Sequence, residues 1–310
     1  MTLRVAIMTD DPGWHGRRLR RAFLARRVEA SFASLRECRI DLGHGVDGVV
    51  VPGFEDRLPD GVVVRGIMAG TLEQITLRLD VLHALRRLGI PVYNEARAIE
   101  RTVDKAMTSF LLQRAGLATP PTCVTEAAAQ ARAFLLRETA LGHDVVAKPL
   151  FGSQGVGLRR LSAGMDIPDP AECGGVWYLQ RYIETGPGGS GWHDWRVFVI
   201  GGQAVAAMVR RGRTWVNNVA RGGRCEAAVA GGELARLAVA ATAAVGADYA
   251  GVDLVRDRDG RLQVLEVNGV PAWKGLQSVT RANIAQLLVD DFLVRRVATA
   301  APSRARGASS

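Results

Sequence analysis

The sequence predicts a small open α/β domain at the amino terminus, followed by a longer region of hairpins and helices. Strand-like and helix-like hydrophobic patterns alternate over residues 1 to about 95, and such alternation is typical of domains built on a parallel sheet. Beyond that point, two stretches have the pattern of β-hairpins, at 195–211 and 251–268. The first pattern predicts the α/β domain, and the second predicts antiparallel strand pairs in the remainder.

Hydrophobic runs and helix stop signals define the elements of the amino-terminal domain. Gly89 and Pro91 end its long amphipathic helix. The predicted strands are 3–9, 46–51, 62–64 and 90–93, and the predicted helices are 16–27 and 72–88. No G-x-G-x-x-G motif follows the first strand, so a dinucleotide site is not expected there.

Polar and aromatic residues follow the first strand, at Asp10, Asp11, Trp14 and His15. The crevice beyond the carboxyl end of such a strand often holds a ligand in α/β sheets. The alternative is a turn that leads into the next helix, and the sequence leaves both interpretations open.

Composition restricts the class of protein. The 310 residues are enough for one large or up to three small domains. The hydrophobic content of 48% and charged content of 23% are ordinary for a soluble globular protein. No run of about 18 apolar residues occurs, so no membrane span is expected. The four cysteines are isolated, which argues against a zinc site or disulfide framework and favours a reducing cytoplasm.

The net charge of +9 raises the question of nucleic-acid binding. Aromatic residues make up only 6% of the chain and form no interleaved platform for stacking bases, so nucleic acid is not favoured. The first predicted helix nevertheless carries a cluster of arginines, which predicts either a solvated basic face or a surface that attracts acidic substrates. The cluster comprises Arg17, Arg18, Arg20, Arg21, Arg26 and Arg27.

Lysine is scarce: only Lys105, Lys148 and Lys274 occur among 40 basic residues. The chain uses arginine for most positive charges, so a lysine suggests a position where a compact ammonium is needed, such as beside phosphate oxygens. Lys148 precedes a glycine-rich loop at 151–157, whose backbone N–H groups can face an anion. It is not a Walker loop, because the lysine precedes the glycines.

The rest of the chain contains further elements. Asp104 is expected to cap a helix over 104–115. Other predicted helices span 126–136, 232–245 and 280–297, and other predicted strands span 144–149 and 176–183. Residues 298–310 have the small, polar and basic composition of a disordered tail.

The hairpin at 251–268 predicts a metal site. With a turn at 257–260, Asp253 is expected opposite Val264. Strand alternation then places Val264, Glu266 and Asn268 on one face and Leu265 and Val267 on the other. Two carboxylates and an amide oxygen are hard donors of the kind that Mg²⁺ accepts beside nucleotide phosphates. The alternative is an edge hairpin with one polar face.

Short motifs follow one another in a distinctive order. They are D-K at 104–105, V-V-A-K-P at 145–149, the glycine loop, L-Q-R-Y-I at 179–183, D-W-R at 194–196, N-N-V-A-R-G-G at 217–223, and G-V-D and L-E-V-N in the hairpin. Over about residues 90–295, this order resembles the ATP-grasp superfamily and, within it, the RimK-like glutamate ligases. T-D-D-P-G-W-H-G at 9–16 and N-G-V-P-A-W-K-G-L-Q at 268–277 are most similar to the branch associated with tetrahydromethanopterin and related C1-carrier cofactors.

The resemblance implies an α/β and α+β architecture, the ATP-grasp fold. A pre-ATP-grasp α/β domain would occupy residues 1–95, a small ATP-grasp lobe residues 96–182, and a larger lobe with the metal site residues 183–297, with the tail at 298–310. The two lobes would clamp ATP between antiparallel sheets.

The resemblance also implies roles for particular residues. The expected nucleotide-binding set is Lys105, Lys148, Gly152, Ser153, Gln154, Gly155, Gly157, Gln180, Arg181, Tyr182, Asp194 and Asn217. The expected ligands of Mg²⁺, with Mn²⁺ as an alternative ion, are Asp253, Glu266 and Asn268. The expected catalytic residues are Lys148, Asn218 and Arg221, and the expected substrate contacts are Arg65, Arg196 and Lys274.

The implied chemistry is an ATP-dependent carboxylate–amine ligation through an acyl phosphate, with release of ADP and phosphate. The expected partners are glutamate and a small-molecule carboxylate of the C1-carrier type, with no membrane or nucleic acid, and a homo-oligomer is allowed. One alternative is a glutamate ligase that modifies a protein carboxyl terminus. A second is a non-enzymatic nucleic-acid-binding protein.

Overall fold

The computed structural model describes residues 2–43, 47–152, 155–185, 191–212, 214–216 and 222–299. Its strands form two four-stranded sheets, one five-stranded sheet and a two-stranded ribbon. Within the described part of the chain, no helix is long and apolar enough to cross a membrane.

The amino-terminal sheet is parallel, with strand order β2-β1-β5-β6. Its elements are β1 (Arg4–Met8), α1 (Gly13–Leu24), β2 (Glu29–Ala33), β3 (Arg39–Ile40), β4 (Val49–Val50), β5 (Gly61–Val64), α2 (Leu72–Arg87) and β6 (Val92–Tyr93). Alternate residues of β1 enter two different hydrophobic clusters, one on each face, as expected for a parallel sheet covered on both sides. The predicted α/β arrangement is confirmed.

The second sheet is antiparallel, with order β7-β10-β8-β9. Its strands are β7 (Thr122–Thr125), β8 (Val145–Lys148), β9 (Arg159–Leu161) and β10 (Trp177–Arg181), and the helix α5 (Ala128–Ala140) lies between β7 and β8 in the chain. Two helices precede it, α3 (Ala96–Val103) and α4 (Lys105–Arg114). The predicted Asp104 cap is present, because its Oδ1 accepts from the backbone N–H groups of Ala106 at 2.8 Å and Met107 at 3.0 Å.

The five-stranded sheet is antiparallel, with order β13-β12-β11-β14-β15. Its elements are β11 (Trp192–Ile200), β12 (Gln203–Gly212), β13 (Arg224–Ala228), α6 (Gly232–Val245), β14 (Tyr249–Arg256) and β15 (Leu262–Asn268). Two helices follow, α7 (Lys274–Gln277) and α8 (Ile284–Phe292), the latter continued by a π-helical turn at Leu293–Val297. The predicted helix over 280–297 therefore begins late, because Asn283 caps it through a hydrogen bond from the Gln286 backbone N–H.

Three differences from the predicted elements have local causes. The first helix begins at Gly13 rather than residue 16 and ends at Leu24, and Arg27 then adopts a left-handed φ of 57°. The strand predicted over 46–51 is reduced to β4, and residue 46 lies outside the described residues. The strand β2 was not predicted, since its sequence E-A-S-F-A lacks a clear apolar alternation.

The amino-terminal sheet and the five-stranded sheet share one hydrophobic cluster, which includes Val5, Phe198 and Phe292. A buried amide reinforces this junction. Asn94 Nδ2 donates to the carbonyls of Tyr249 and Gly269, each at 2.7 Å, and its Oδ1 accepts from the Asp248 N–H at 2.6 Å. Because Gly269 directly follows β15, this contact fixes the end of the strand that carries the predicted metal ligands.

Candidate active site

A cavity of about 700 Å³ lies where the second sheet, the five-stranded sheet and the end of β5 meet. Most of the predicted site residues that the structure describes line it. They are Arg65, Lys148, Gly155, Gln180, Arg181, Tyr182, Asp194, Arg196, Asp253, Glu266, Asn268 and Lys274. Lys105 lines a narrow adjoining cleft together with Lys148 and Glu266.

Five predicted residues lie outside the described part of the chain: Ser153, Gln154, Asn217, Asn218 and Arg221. Two predicted glycines lie beside the cavity rather than in its wall. The carbonyl of Gly152 accepts a hydrogen bond from Lys105. Gly157 has a φ of +74°, and a Cβ there would approach Pro149 Cγ to 2.8 Å, so only glycine fits without a shift.

Two ammonium groups converge at one end of the cavity. Lys148 Nζ donates to Gln180 Oε1 at 2.6 Å, and Lys105 Nζ donates to the carbonyls of Leu150 at 3.2 Å and Gly152 at 2.9 Å. Burial lowers the pKa of Lys148 to about 8; Glu266 opposes this change and Lys105 adds to it. Burial also lowers the pKa of Lys105. This end of the cavity therefore holds two ammonium groups that are partly shielded from solvent and lie beside the Glu266 carboxylate.

The hairpin β14–β15 carries the predicted metal donors, but its register differs from the prediction. Asp253 lies opposite Glu266, and Leu254 lies opposite Val264, because a β-bulge falls between the two pairs. The predicted pairing of Asp253 with Val264 is therefore wrong by two residues: strand pairing after the turn starts one position later than predicted, and the bulge inserts one further residue. The bulge also brings the two carboxylates into direct cross-strand opposition.

The same bulge changes which residues face the core. Val264 and Val267 both belong to the hydrophobic cluster beneath the sheet, whereas Leu265 lines the cavity beside Glu266. The predicted faces of Val264 and Leu265 are therefore wrong. Simple alternation fails wherever an extra residue is inserted into one strand.

Four charged side chains form a row across β11, β12 and β14, which we call the charge row: Asp194, Arg210, Asp253 and Arg196. Arg210 donates to Asp194 at 2.8 and 2.5 Å, and its Nη2 lies 2.9 Å from Asp253 Oδ2. Arg196 donates to both oxygens of Asp253 at 2.6 Å each. Burial opposes the charge on Asp253, but the two guanidiniums outweigh it and lower the pKa of that carboxyl.

Sequence reasoning missed Arg210, although it joins two predicted site residues. It is 5% exposed and follows Met208 on a face of β12 that borders the cavity. The sequence did contain one signal for this residue, because Arg210 continues the apolar face of its strand. An arginine at such a position is expected to be buried, and a buried guanidinium requires acidic partners. Only the register of β11 against β12, which pairs Asp194 with Arg210, identifies that partner.

The donor set suits a hard divalent cation. Asp253, Glu266 and Asn268 all line the cavity and supply carboxylate and amide oxygens. The Nδ2 of Asn268 is buried and has no hydrogen-bond partner in the described ranges. Among those residues no group of three His, Cys, Asp or Glu side chains is arranged to hold a metal, so a site here depends on the amide as its third donor.

The opposite end of the cavity holds a different kind of cation. Arg65 directly follows β5, and its guanidinium stacks over Trp273 with 5.0 Å to the ring centroid. Its Nη1 is buried, and no described residue accepts a hydrogen bond from it. Lys274 lines the same end. Burial lowers the pKa of Arg65, as expected for a cation that is partly without an anionic partner.

The sequence left two interpretations open for the residues after β1, a ligand-binding crevice and a turn. Different residues fit different interpretations. Asp10 accepts from Ser34 Oγ at 2.6 Å and Asp11 accepts from the Gly13 N–H at 2.9 Å, so both acidic residues shape the turn. His15 instead reaches the cavity wall, where its Nε2 accepts from the Trp273 N–H at 3.0 Å. Burial, followed by Arg65 and Lys274, lowers the pKa of His15 to about 4. The imidazole is therefore neutral near pH 7.

Two family models together match most of the chain. Residues 102–292 match the RimK-like ATP-grasp domain, and residues 3–99 match the RimK PreATP-grasp domain. The chain is 37% identical over 224 residues to the tetrahydromethanopterin:alpha-L-glutamate ligase of Methanocaldococcus jannaschii, covering 70% of this chain and 74% of that protein. It is 28% identical over 312 residues to the probable alpha-L-glutamate ligase 1 of Pseudoalteromonas atlantica, covering 98% and 99%.

Solved structures support the fold. The ATP-grasp ligase PsnB complexed with minimal precursor has a TM-score of 0.72 and 23% identity, covering 95% of this chain and 99% of that chain. The same ligase complexed with minimal precursor, Mg and ADP has a TM-score of 0.71 at 23% identity, covering 95% and 98%. The family matches cover both parts of the chain, and they show that it belongs to the RimK-like ATP-grasp family of ligases.

Proposed function

We propose that the protein is an ATP-dependent glutamate ligase that joins the amine of glutamate to a carboxylate of a small-molecule acceptor of the C1-carrier cofactor type. Its relatives named as tetrahydromethanopterin:alpha-L-glutamate ligases support this choice of amine and acceptor. The observation that carries the proposal is one cavity, with its adjoining cleft, that has two half-buried lysines and an oxygen donor set at one end and an arginine with an unsatisfied donor at the other.

The lysine end would bind the nucleotide. Lys105 and Lys148 would hold the phosphates as compact point charges, and Gln180 would release Lys148 when a phosphate oxygen takes its place. The end of β10, with Arg181 and Tyr182, would lie along the adenine. Arg181 is held by Glu138 through a 2.7 Å ion pair, so a backbone contact is the more suitable role for it. Ser153, Gln154 and Asn217 complete the proposed nucleotide site.

Asp253, Glu266 and Asn268 would hold Mg²⁺, with Mn²⁺ as the alternative. Each carboxylate oxygen has two lone pairs, so Asp253 can retain an arginine contact and still face a cation. When bound, the ion would neutralise charge on the phosphoryl group in transfer.

The proposed reaction has two displacement steps. The acceptor carboxylate attacks the γ-phosphorus of ATP, and ADP leaves, which gives an acyl phosphate. The glutamate amine then attacks the acyl carbon, phosphate leaves, and an amide bond remains. The protein contributes mainly position and electrostatics. Arg196 and Arg210 are fixed by the charge row beside the reacting groups, and Asn218 and Arg221 are proposed to stabilise the developing oxyanion.

Arg65 and Lys274 would bind carboxylates that are not consumed in the reaction. A bidentate guanidinium suits a carboxylate, and the unpaired Nη1 offers a donor that needs one. His15 is poorly suited as a base for the amine, because its Nε2 already accepts from the Trp273 N–H. Its role would be to hold Trp273 beneath the Arg65 guanidinium.

The decisive experiment measures ADP release by the purified protein with glutamate and a pooled set of small carboxylates, followed by mass spectrometry of the acceptors. The expected product is an acceptor that has gained one glutamate residue. No glutamate-dependent ADP release with any acceptor would contradict the proposal. A glutamate gain on a protein instead of a small molecule would establish the alternative acceptor class.

A further inference from the structure

One exposed face of α1 is basic and begins near Trp273, whose chain neighbours Ala272 and Lys274 line the cavity. Trp14, Arg17, Arg18 and Arg21 have the i, i+3, i+4, i+7 spacing that places them on one side of a helix. We call these four residues the basic stripe. The three arginines are exposed, whereas Leu19, Ala22 and Phe23 are buried on the opposite side of the helix. The basic stripe therefore faces away from the core.

The arginines of the basic stripe lack acidic neighbours. Arg17, Arg18 and Arg21 form no ion pair with any carboxylate in the described ranges of the chain. Arg26, in the turn that follows α1, makes a two-point ion pair with Asp290 at 2.7 and 2.8 Å. An arginine next to this helix is therefore neutralised by the protein, whereas the basic stripe is left to meet an external anion.

The basic stripe begins at the acceptor end of the cavity. The Trp14 ring lies 6.4 Å from the Trp273 ring, and Arg18 stacks over Trp14 at 5.0 Å. Trp273 supports Arg65, and the next residue, Lys274, lines the cavity. Positive charge thus continues from Arg65 and Lys274 onto the helix surface. From Trp14 to Arg21 the helix advances about 10 Å, at about 1.5 Å per residue.

We propose that the basic stripe is a docking surface for an acidic acceptor, specifically a chain that carries several carboxylates beyond the one that is activated. The inference rests on the proposed function. Each turnover converts one acceptor carboxylate into an amide and leaves the two carboxylates of the added glutamate, so the molecule gains one negative charge. An acceptor or product of this kind matches the basic stripe in sign of charge.

The dimensions and chemistry favour a carboxylate chain over a nucleic acid. A length of about 10 Å corresponds to about three residues of extended peptide at about 3.3 Å each. Trp14 is the stripe's only aromatic residue, and Arg18 already covers its ring. A nucleic-acid surface usually presents several aromatic side chains for stacking. The basic stripe offers separate cations along a short path instead.

The test is direct binding of a fluorescein-labelled triglutamate peptide, measured by fluorescence anisotropy at low salt with no ATP present. The variant is the double substitution R17E and R21E. The matched control is R87E with R114E, two exposed arginines of α2 and α4 that also lack an ion pair in the part of the chain that the structure describes. Thermal unfolding of each variant verifies that it folds.

The expected result is binding by the wild type that weakens about tenfold or more in R17E/R21E and is unchanged in the control. Three results would overturn the inference: no peptide binding by the wild type, an equal loss in both double variants, or equally tight binding of a single-stranded oligonucleotide through the same arginines. Glutamate-dependent ADP release by the wild type tests the proposed function separately, so a failure of one does not imply a failure of the other.

Discussion

The two ends of the cavity differ in whether the protein itself supplies hydrogen-bond acceptors to their cationic side chains. At the end proposed to bind the nucleotide, Lys105, Lys148 and Arg210 all donate to acceptors within the protein. At the end proposed to bind the acceptor, Arg65 keeps a buried Nη1 without a partner among the described residues. The first end is preorganised by bonds that already exist, and the second has a donor that a ligand must satisfy. The difference suggests that the first set of cations is fixed by the fold, whereas Arg65 is available to bind a substrate.

The largest expected effect compares the same substitution at the two ends. Arg210→Met leaves Asp194 and Asp253 buried without their shared partner, so unfolding free energy should fall by about 3–5 kcal/mol. Arg65→Met removes a guanidinium with an unsatisfied donor, so stability should change by less than about 1 kcal/mol. Chemical denaturation of both variants measures the difference.

Arg211 supplies the control for this comparison, since it neighbours Arg210 but pairs with Glu226 at the surface. Arg211→Met should cost at most about 1 kcal/mol, as exposed ion pairs contribute little. Equal losses of stability in the Arg210 and Arg65 variants would show that the two ends do not differ in this way.

The next effect concerns the metal donors. Glu266→Gln should raise the barrier of the reaction by about 2.7 kcal/mol or more, by analogy with the loss of one preorganised electrostatic partner. It should also weaken Mn²⁺ binding, measured by electron paramagnetic resonance without turnover. Glu226→Gln, a change of the same type at the surface, should alter neither. Wild-type Mn²⁺ affinity in Glu266→Gln would exclude this residue as a ligand.

Lys148→Arg tests whether the nucleotide end needs a compact ammonium. A planar guanidinium cannot occupy the same buried space beside Gln180, so ATP affinity should fall by about 1.5–3 kcal/mol, the value of a hydrogen bond to a charged group. Lys274→Arg, at the acceptor end, should bind ATP normally. Isothermal titration calorimetry gives both affinities, and unchanged ATP binding in Lys148→Arg would contradict the lysine argument.

Arg65→Gln tests the acceptor end. Loss of the guanidinium should raise KM for the acceptor or glutamate by about 10- to 100-fold, which corresponds to one charged hydrogen bond. The affinity for ATP should remain that of the wild type. Steady-state kinetics with each substrate varied in turn separates these parameters. A loss of ATP affinity with normal KM values would place Arg65 at the wrong end.

The smallest effect is a pH dependence of ATP binding. Burial lowers the pKa of Lys148 to about 8, whereas phosphate oxygens would stabilise its charged form. ATP binding should therefore require proton uptake above that pH, and affinity should fall by up to about tenfold between pH 7 and 9. The decline should begin near pH 8 rather than near the ordinary lysine pKa of about 10.4. A flat profile across this range would rule out Lys148 as the titrating contact.

Much of the architecture follows from local signals in the amino-acid sequence. The helix predicted over 232–245 matches α6, and the capping role of Asp104 follows from its side chain. The order of short motifs along the chain is sufficient to indicate the family. The scarcity of lysine singled out Lys105 and Lys148, which lie together beside Glu266 in one cleft.

The way in which those residues meet depends on contacts between distant parts of the chain. A one-residue shift in the pairing after the turn and one β-bulge together changed the partner of Asp253 from Val264 to Glu266, and neither feature is encoded in an alternating pattern. Arg210 and Asn94 escaped notice because their partners are distant in the chain and depend on strand register and domain packing. Local signals fix which elements form, whereas contacts between distant residues set the bond geometry at the two ends of the cavity.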